Sequence, residues 1–342
     1  MNDVTVLIAT YNRAGLLGET LDILAQSERP GSRAWEVVVI DNNSHDRTRE
    51  VVHSRQASFP VPLRYLFESR PGRSAALNAA HRATTAPLIL YTDDDVRVAP
   101  RWVKSGADAL DEGWDYIGGP VEPLWEAPRP AWLDPALHGT IAILDYGPSP
   151  FAFEERRRVP LGANMGVRRD LLERIGGFRE DLGRSKGRKI LGQEVPDLLA
   201  RARAIGARGI YLPDMRVEHH VPAARLTKSY FRKWWHGKGV SKAALELGQP
   251  LTELGIDLRD APHIGPVPRF MLGSAARDVI GYARALLARD VAGRFRREMM
   301  LTFAAGYVGA RGLRWRRPAY RSAAARFETG TTNLELSSSP RR

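Results

Sequence analysis

The sequence predicts an α/β protein with a mainly parallel central sheet, helices on both faces and a C-terminal helical extension. Three observations predict it. Apolar, β-rich runs alternate with helix-period segments four times within the first hundred residues. The runs are apolar throughout rather than every second residue, as in strands buried on both faces. Three of them end in polar clusters: Thr10-Tyr11-Asn12-Arg13, Asp41-Asn42-Asn43-Ser44 and Asp93-Asp94-Asp95. In such sheets ligands bind beyond the carboxyl ends of the strands, so the topology gathers these clusters into one crevice.

Residues 4–9 read as the first strand. Leu16, Leu17, Thr20, Leu21 and Leu24 then recur at helical spacing. Residues 35–40 form the second strand, and a polar helix starts near Asp46. Residues 63–67 are the third strand, followed by a small-residue helix over 74–84. Residues 88–92 are the fourth and lead into the aspartate triplet. Residues 118–159, rich in Pro and Trp, read as a long, partly ordered connection over the site. A short helix over 167–175 ends at Gly176-Gly177. Another spans 194–205 with Gly206 as its C-cap, and 208–212 is a strand. Beyond Thr227 the pattern is helical with breaks. The expected organisation is a catalytic domain over 1–222, with a nucleotide-binding half (1–100) and an acceptor and base half (118–222). A basic helical region over 223–328 and a disordered tail over 329–342 follow.

Composition excludes several classes. The 342 residues contain no Cys, so disulfides, thiolate nucleophiles and cysteine zinc sites are ruled out. The chain enters a strand pattern at once, without the features of a signal peptide, and no apolar run reaches the roughly 20 residues that span a bilayer. A cytoplasmic location is expected, with peripheral contact on the inner face of the membrane as an option. Formal net charge is +12, and residues 259–342 hold 16 Arg, no Lys and 6 acids. Such a region meets anionic lipid, nucleic acid or a phosphorylated substrate, or is simply a solvated surface. No helix-turn-helix, RNA-binding aromatic motif or zinc finger supports nucleic acid. G-x-G-x-x-G, the Walker loop and the G-x-S-x-G elbow are all missing, which disfavours hydride transfer, P-loop phosphoryl transfer and serine hydrolysis.

Three adjacent carboxylates at a buried strand end repel one another unless a cation neutralises them. Oxygen ligands suit Mg²⁺ or Mn²⁺, ions that commonly share their shell with substrate phosphates. The bland alternative is an acidic turn before a helix at Pro100.

Six stretches in order then carry a resemblance: Val6 to Arg13, Val39 to Ser44, Arg73 to Asn78, Tyr91 to Val96, Gly176-Gly177-Phe178 and Gly192 to Leu198. Over roughly residues 3–220 the chain resembles inverting family 2 glycosyltransferases of the GT-A fold. The resemblance implies a nucleotide-diphospho-sugar donor, UDP-linked by family default. It implies a saccharide, lipid-linked or small-molecule acceptor, and Mn²⁺ or Mg²⁺ as cofactor. Thr10, Tyr11 and Arg13 would line the base and ribose, and Asp41 would accept a hydrogen bond from the base or else close an Asx turn. Arg73 would lie near base or phosphates. Asp93 and Asp95 would form the D-x-D pair, with Asp95 the direct metal ligand and Asp94 on the ribose or a metal-bound water. His219 or His220 would meet the metal or diphosphate. Glu194 would be the general base, in a Gln193-Glu194 pair where the family commonly has Glu-Asp; Asp197 is its rival. Asn164 would bond a sugar hydroxyl. Single additions are expected, since the Gln-x-x-Arg-Trp motif and membrane helices of processive synthases are missing.

Residues 230–238 mix aromatics with cations and read as an interfacial helix, a lid with Arg232 or Lys233 on the diphosphate, or a packing helix. Residues 270–308 offer a membrane patch, a homodimer surface or a packing face. A nucleotidyltransferase on a related sheet and an inactive sugar-nucleotide binder are the alternative functions.

Overall fold

The computed structural model describes residues 2–154, 158–182, 192–248, 258 and 260–315. They fall into two compact units divided between Phe231 and Arg232. The expected tail over 329–342 lies outside the described residues.

The first unit runs β1 (Val4–Thr10), α1 (Ala14–Leu24), β2 (Trp35–Asp41), α2 (Thr48–Gln56), β3 (Leu63–Phe67), α3 (Arg73–Ala83), β4 (Leu88–Asp93) and β5 (Val96–Val98). It continues with α4 (Trp102–Asp111), β6 (Tyr116–Gly118), β7 (Val121–Trp125), a 3₁₀ turn (Pro135–Ile141), β8 (Phe151–Ala152) and β9 (Asn164–Arg168). After these come α5 (Arg169–Ile175), α6 (Glu194–Ala204), β10 (Gly209–Tyr211) and β11 (Val217–Val221). The main sheet has the order β3-β2-β1-β4-β9-β6-β10-β8. Strands β1 to β4 are mutually parallel, and β9 is antiparallel to both β4 and β6.

β1, β2 and β4 are buried along nearly their whole length because both faces are covered, and the polar Thr5 and Glu36 among them are hydrogen-bonded to each other at 2.9 Å. Val4, Val6 and Ile8 pack with Leu17 and Leu21 of α1 and Trp102 of α4. Leu7, on the opposite face of β1, packs with Leu77 of α3, Leu172 of α5 and Leu198 of α6. The period-2 geometry of a strand sends neighbours to opposite faces, so each face has its own core.

Two expectations need correction. Residues 118–159 carry β7, β8 and the 3₁₀ turn, more order than a connection. β7 pairs with β11, close to a hundred residues later, in a small sheet ordered β5-β11-β7; a pairing so distant leaves no local periodicity. The helix expected over 167–175 starts only at Arg169, because Val167 belongs to β9. Gly166 allows this insertion: a Cβ there would lie 2.7 Å from a Leu90 methyl and 2.9 Å from Ile117.

In the second unit, α7 (Lys228–Gly248, which begins in the first), α8 (Arg269–Leu287) and α9 (Val291–Trp315) dominate. Gly239 and Gly306 let α7 and α9 approach to backbone contact, since a Cβ on either would strike a carbonyl of the other helix. Among the described residues no helix is long and apolar enough to cross a membrane.

Candidate active site

Parallel register sets Thr10 beside Asp41 and Ala9 beside Asp93, so the three strand ends meet. The triplet occupies the tight turn from β4 into β5. Thr10 Oγ1 donates to Asp94 Oδ2 at 2.7 Å. Arg13 Nη1 donates to Asp94 Oδ1 at 2.8 Å and to Asp95 Oδ2 at 2.7 Å. Arg73 Nη2 donates to Asp93 Oδ1 at 3.0 Å and to the Gly162 carbonyl at 2.8 Å. Burial pushes Asp94 up to about 6 even against Arg13. Burial and the charge of Asp93 raise Asp95. For Asp93 burial is outweighed chiefly by the charge and hydrogen bond of Arg73, and its carboxyl stays below the usual range. Loss of hydration opposes the charged form, and only a close cation reverses that.

Antiparallel pairing of β11 with β5 sets His219 opposite Val96. His219 Nε2 stands 3.6 Å from Asp95 Oδ1, and burial takes the imidazole down to about 4, so it is neutral near pH 7. Asp95 Oδ1 is itself buried without a hydrogen-bond partner. An orphaned carboxylate oxygen facing a neutral imidazole fits a divalent ion. Among the described residues no three acidic or His side chains converge tightly enough to enclose an ion as they stand; the Arg13 guanidinium serves as their counter-charge instead. His220 donates its backbone N–H to the Asp95 carbonyl, and its Nδ1 is buried without a partner.

Glu194 opens α6 and is buried, and among the described residues its Oε2 has no hydrogen-bond partner. Burial opposes the charge of Arg73, but Asp93 and Glu194 outweigh it, so one guanidinium serves the metal-side and base-side carboxylates together. Asp197 is committed elsewhere: Arg201 reaches its Oδ2 at 2.8 Å and Arg179 its Oδ1 at 3.5 Å.

Asp41 takes the Ser44 N–H on Oδ1 at 2.8 Å, closing the Asx turn, and the Tyr65 hydroxyl on Oδ2 at 2.7 Å. Each oxygen keeps a second lone pair for a ligand. Tyr11 is exposed at the strand end. Asn164 is a correction. Its Oδ1 accepts from Trp102 Nε1 at 2.8 Å, and its Nδ2 donates to the carbonyls of Pro120 (2.9 Å) and Met215 (2.6 Å). With 0% exposure and both amide hydrogens spent, it has no donor to offer a sugar and serves as framework.

Three structural anchors escaped the sequence reading. Asn42 Nδ2 donates to the carbonyls of Glu68 and Arg70, and its Oδ1 takes the Gly72 N–H, which fixes the entry to α3. Asn78 grips Phe178. Arg201 donates to the carbonyls of Ile175, Gly176 and Gly177 and so caps α5. Asn42 and Asn78 lie inside matched stretches that give no indication of their partners, and Arg201 lies outside all six stretches.

The profile described as glycosyl transferase family 2 matches residues 5–176. The chain belongs to glycosyl transferase family 2. A glucosyl-dolichyl phosphate glucuronosyltransferase of Haloferax volcanii is 25% identical over 254 residues, covering 72% of this chain and 78% of its own. A validoxylamine A glucosyltransferase of Streptomyces hygroscopicus is 38% identical over 104 residues, covering 30% of this chain but only 24% of that longer protein. Among solved structures, a mannosyltransferase of Pyrobaculum calidifontis in complex with GDP-Man and Mn²⁺ superposes with a TM-score of 0.53 and 22% identity, over 96% of this chain and 83% of that one. The family 2 member described here is therefore a glycosyltransferase with the GT-A fold. The matched span ends at residue 176, before Glu194.

Proposed function

We propose that this glycosyltransferase moves a sugar from a nucleotide-diphosphate donor, a UDP-sugar, to an acceptor hydroxyl with inversion, one unit at a time. The observation that carries the reading is Glu194, a buried carboxylate with one unpartnered oxygen, tied through Arg73 to the aspartate triplet. Glu194 Oε2 takes the acceptor proton as the acceptor oxygen bonds to the anomeric carbon and the bond to the diphosphate breaks. Attack from the face opposite the leaving group inverts the centre. Asp95, Asp93 and His219 would hold Mn²⁺ or Mg²⁺, which when bound supplies positive charge to the departing diphosphate. Arg73 holds the Asp93 carboxyl below the usual range and sets its positive charge near Glu194. Thr10 and Arg13 hold Asp94 by hydrogen bonds, and Tyr11 and Asp41 would contact ribose and base.

For the acceptor we favour a lipid-linked saccharide or lipid phosphate presented at the inner face of the cell membrane. The glucuronosyltransferase relative carries a dolichyl phosphate in its name, and the basic C-terminal region suits an anionic surface. The test is a thermal-shift panel of UDP-, GDP- and dTDP-sugars with and without Mn²⁺, since a donor bound to the native state raises Tm by mass action. A metal-dependent shift with one nucleotide class, lost in Asp95→Ala, is expected. Proton NMR of the product should show the anomer opposite to the donor's; a retained configuration overturns the mechanism.

A further inference from the structure

Among the described residues, the second unit presents an unpaired helix face. Val279 and Leu286, and Ile280 and Leu287, lie two turns apart on α8, so they share one side. All four are exposed, together with Phe270 at the start of the helix and Val291 just past the turn into α9. Leu287 is 85% exposed, extreme for a leucine. The opposite side of α8 is committed to α9: Arg297 Nη1 donates to Asp278 Oδ1 at 2.7 Å, and Gly281 leaves the room, since a Cβ there would lie 2.8 Å from Arg297 Nε. Arg289, with φ +54, turns the chain between the two helices.

Charge decides what covers this face. Residues 269–298 carry seven Arg, no Lys and three acids. Two of the acids are already paired, Asp278 with Arg297 and Glu298 with Arg232. Arg277 and Arg284 sit three residues from Ile280 and Leu287 on the exposed side, and among the described residues they and Arg289 have no ion-pair partner. A like-charged second copy would bring these guanidiniums against one another. An anionic bilayer satisfies both halves of the pattern: acyl chains take the leucines and isoleucine, and lipid phosphates take the arginines.

We infer that the outer face of α8 and its turn into α9 form a docking surface for an anionic lipid bilayer. It deepens the proposed action on a lipid-linked acceptor and rests on that reading for its purpose, while the binding itself is measurable without turnover.

The experiment is co-sedimentation of the full chain with vesicles of phosphatidylglycerol and phosphatidylcholine, against phosphatidylcholine alone. The wild type should pellet with the anionic vesicles and release with salt. Ile280→Glu/Leu287→Glu should weaken binding ~10-fold or more, as loss of two large buried apolar side chains requires. Arg277→Gln/Arg284→Gln should weaken it and flatten its salt dependence. All four residues are exposed, so circular-dichroism melts should match the wild type, and transfer to a soluble acceptor should be unchanged. Wild type that stays in the supernatant with anionic vesicles overturns the inference. So does a dimer, seen by ultracentrifugation without lipid, that Ile280→Glu/Leu287→Glu dissociates while vesicle binding persists. Vesicle binding that survives alongside an inability to use any lipid acceptor leaves the surface standing and removes the acceptor reading.

Discussion

Asn78 and Phe178 exchange two hydrogen bonds: Asn78 Nδ2 donates to the Phe178 carbonyl at 2.8 Å, and the Phe178 N–H returns to Asn78 Oδ1 at 2.9 Å. One side chain thus fastens α3, on the nucleotide side, to the Gly176-Gly177-Phe178 segment after α5. Gly177 permits the approach, because a Cβ there would lie 2.5 Å from Asn78 Oδ1. Asn78→Ala should lower unfolding free energy by roughly 1–3 kcal/mol, the range for two hydrogen bonds to backbone of which one partner is left bare. Turnover should fall with donor KM nearly unchanged, since the amide touches no ligand. A large rise in donor KM at constant kcat contradicts this positioning role.

Glu194 and Asp197 lie three residues apart on α6, but their surroundings differ. Asp197 is held by Arg179 and Arg201, whereas Glu194 keeps Oε2 unpartnered. Glu194→Gln should cut kcat by about 10²–10⁴, the usual contribution of a general base, while donor binding by thermal shift persists. Asp197→Asn should cost mainly stability, because it removes the counter-charge of Arg201 and one of the two carboxylates on Arg179, which keeps Asp181. The base assignment fails if Glu194→Gln turns over normally and a folded Asp197→Asn does not.

Much of this was legible because parallel sheets write themselves locally. Each of β1, β2 and β4 is a predominantly apolar run, and each ends in the polar residues that meet at the site. The triplet was readable for the same reason, since it follows the apolar run of β4, whereas Arg73 and Glu194 became candidates only through the family resemblance. What stayed hidden depends on distant pairing. β9 threads antiparallel between β4 and β6, and β7 meets β11 across close to a hundred residues. Asn164 shows the consequence: a polar residue next to small ones looks sugar-facing in sequence, yet its partners Trp102, Pro120 and Met215 come from three separate segments.

That placement of Asn164 is itself testable. Asn164→Ala strands one indole N–H and two carbonyls in a dry interior, so the fold should lose roughly 2–5 kcal/mol. Donor and acceptor KM of the folded fraction should stay near wild type. An intact Tm with a raised acceptor KM would falsify the framework role and restore the sugar contact.

His81 links stability to pH. Its Nε2 and the Tyr91 hydroxyl share a hydrogen bond at 2.6 Å, and its ring stacks on Phe178 at 5.8 Å. Burial, reinforced by the charges of Arg169 and Arg82, takes the imidazole from 6.5 down to about 3. Below pH 6.5 the unfolded chain therefore gains a proton that the folded protein refuses. Unfolding binds protons throughout the window from about 6.5 to 3, so stability must fall as pH falls across it, and above 6.5 the group contributes no slope. One such proton gives at most about 1.4 kcal/mol per pH unit. Carboxylates titrate in the lower part of the same window, so the informative quantity is the difference between wild type and His81→Gln. Urea midpoints measured from pH 8 to pH 4 should converge toward low pH, the wild type losing its advantage between pH 6.5 and 5, where few carboxylates change charge. Parallel curves over that interval would mean that the buried imidazole titrates alike in both states.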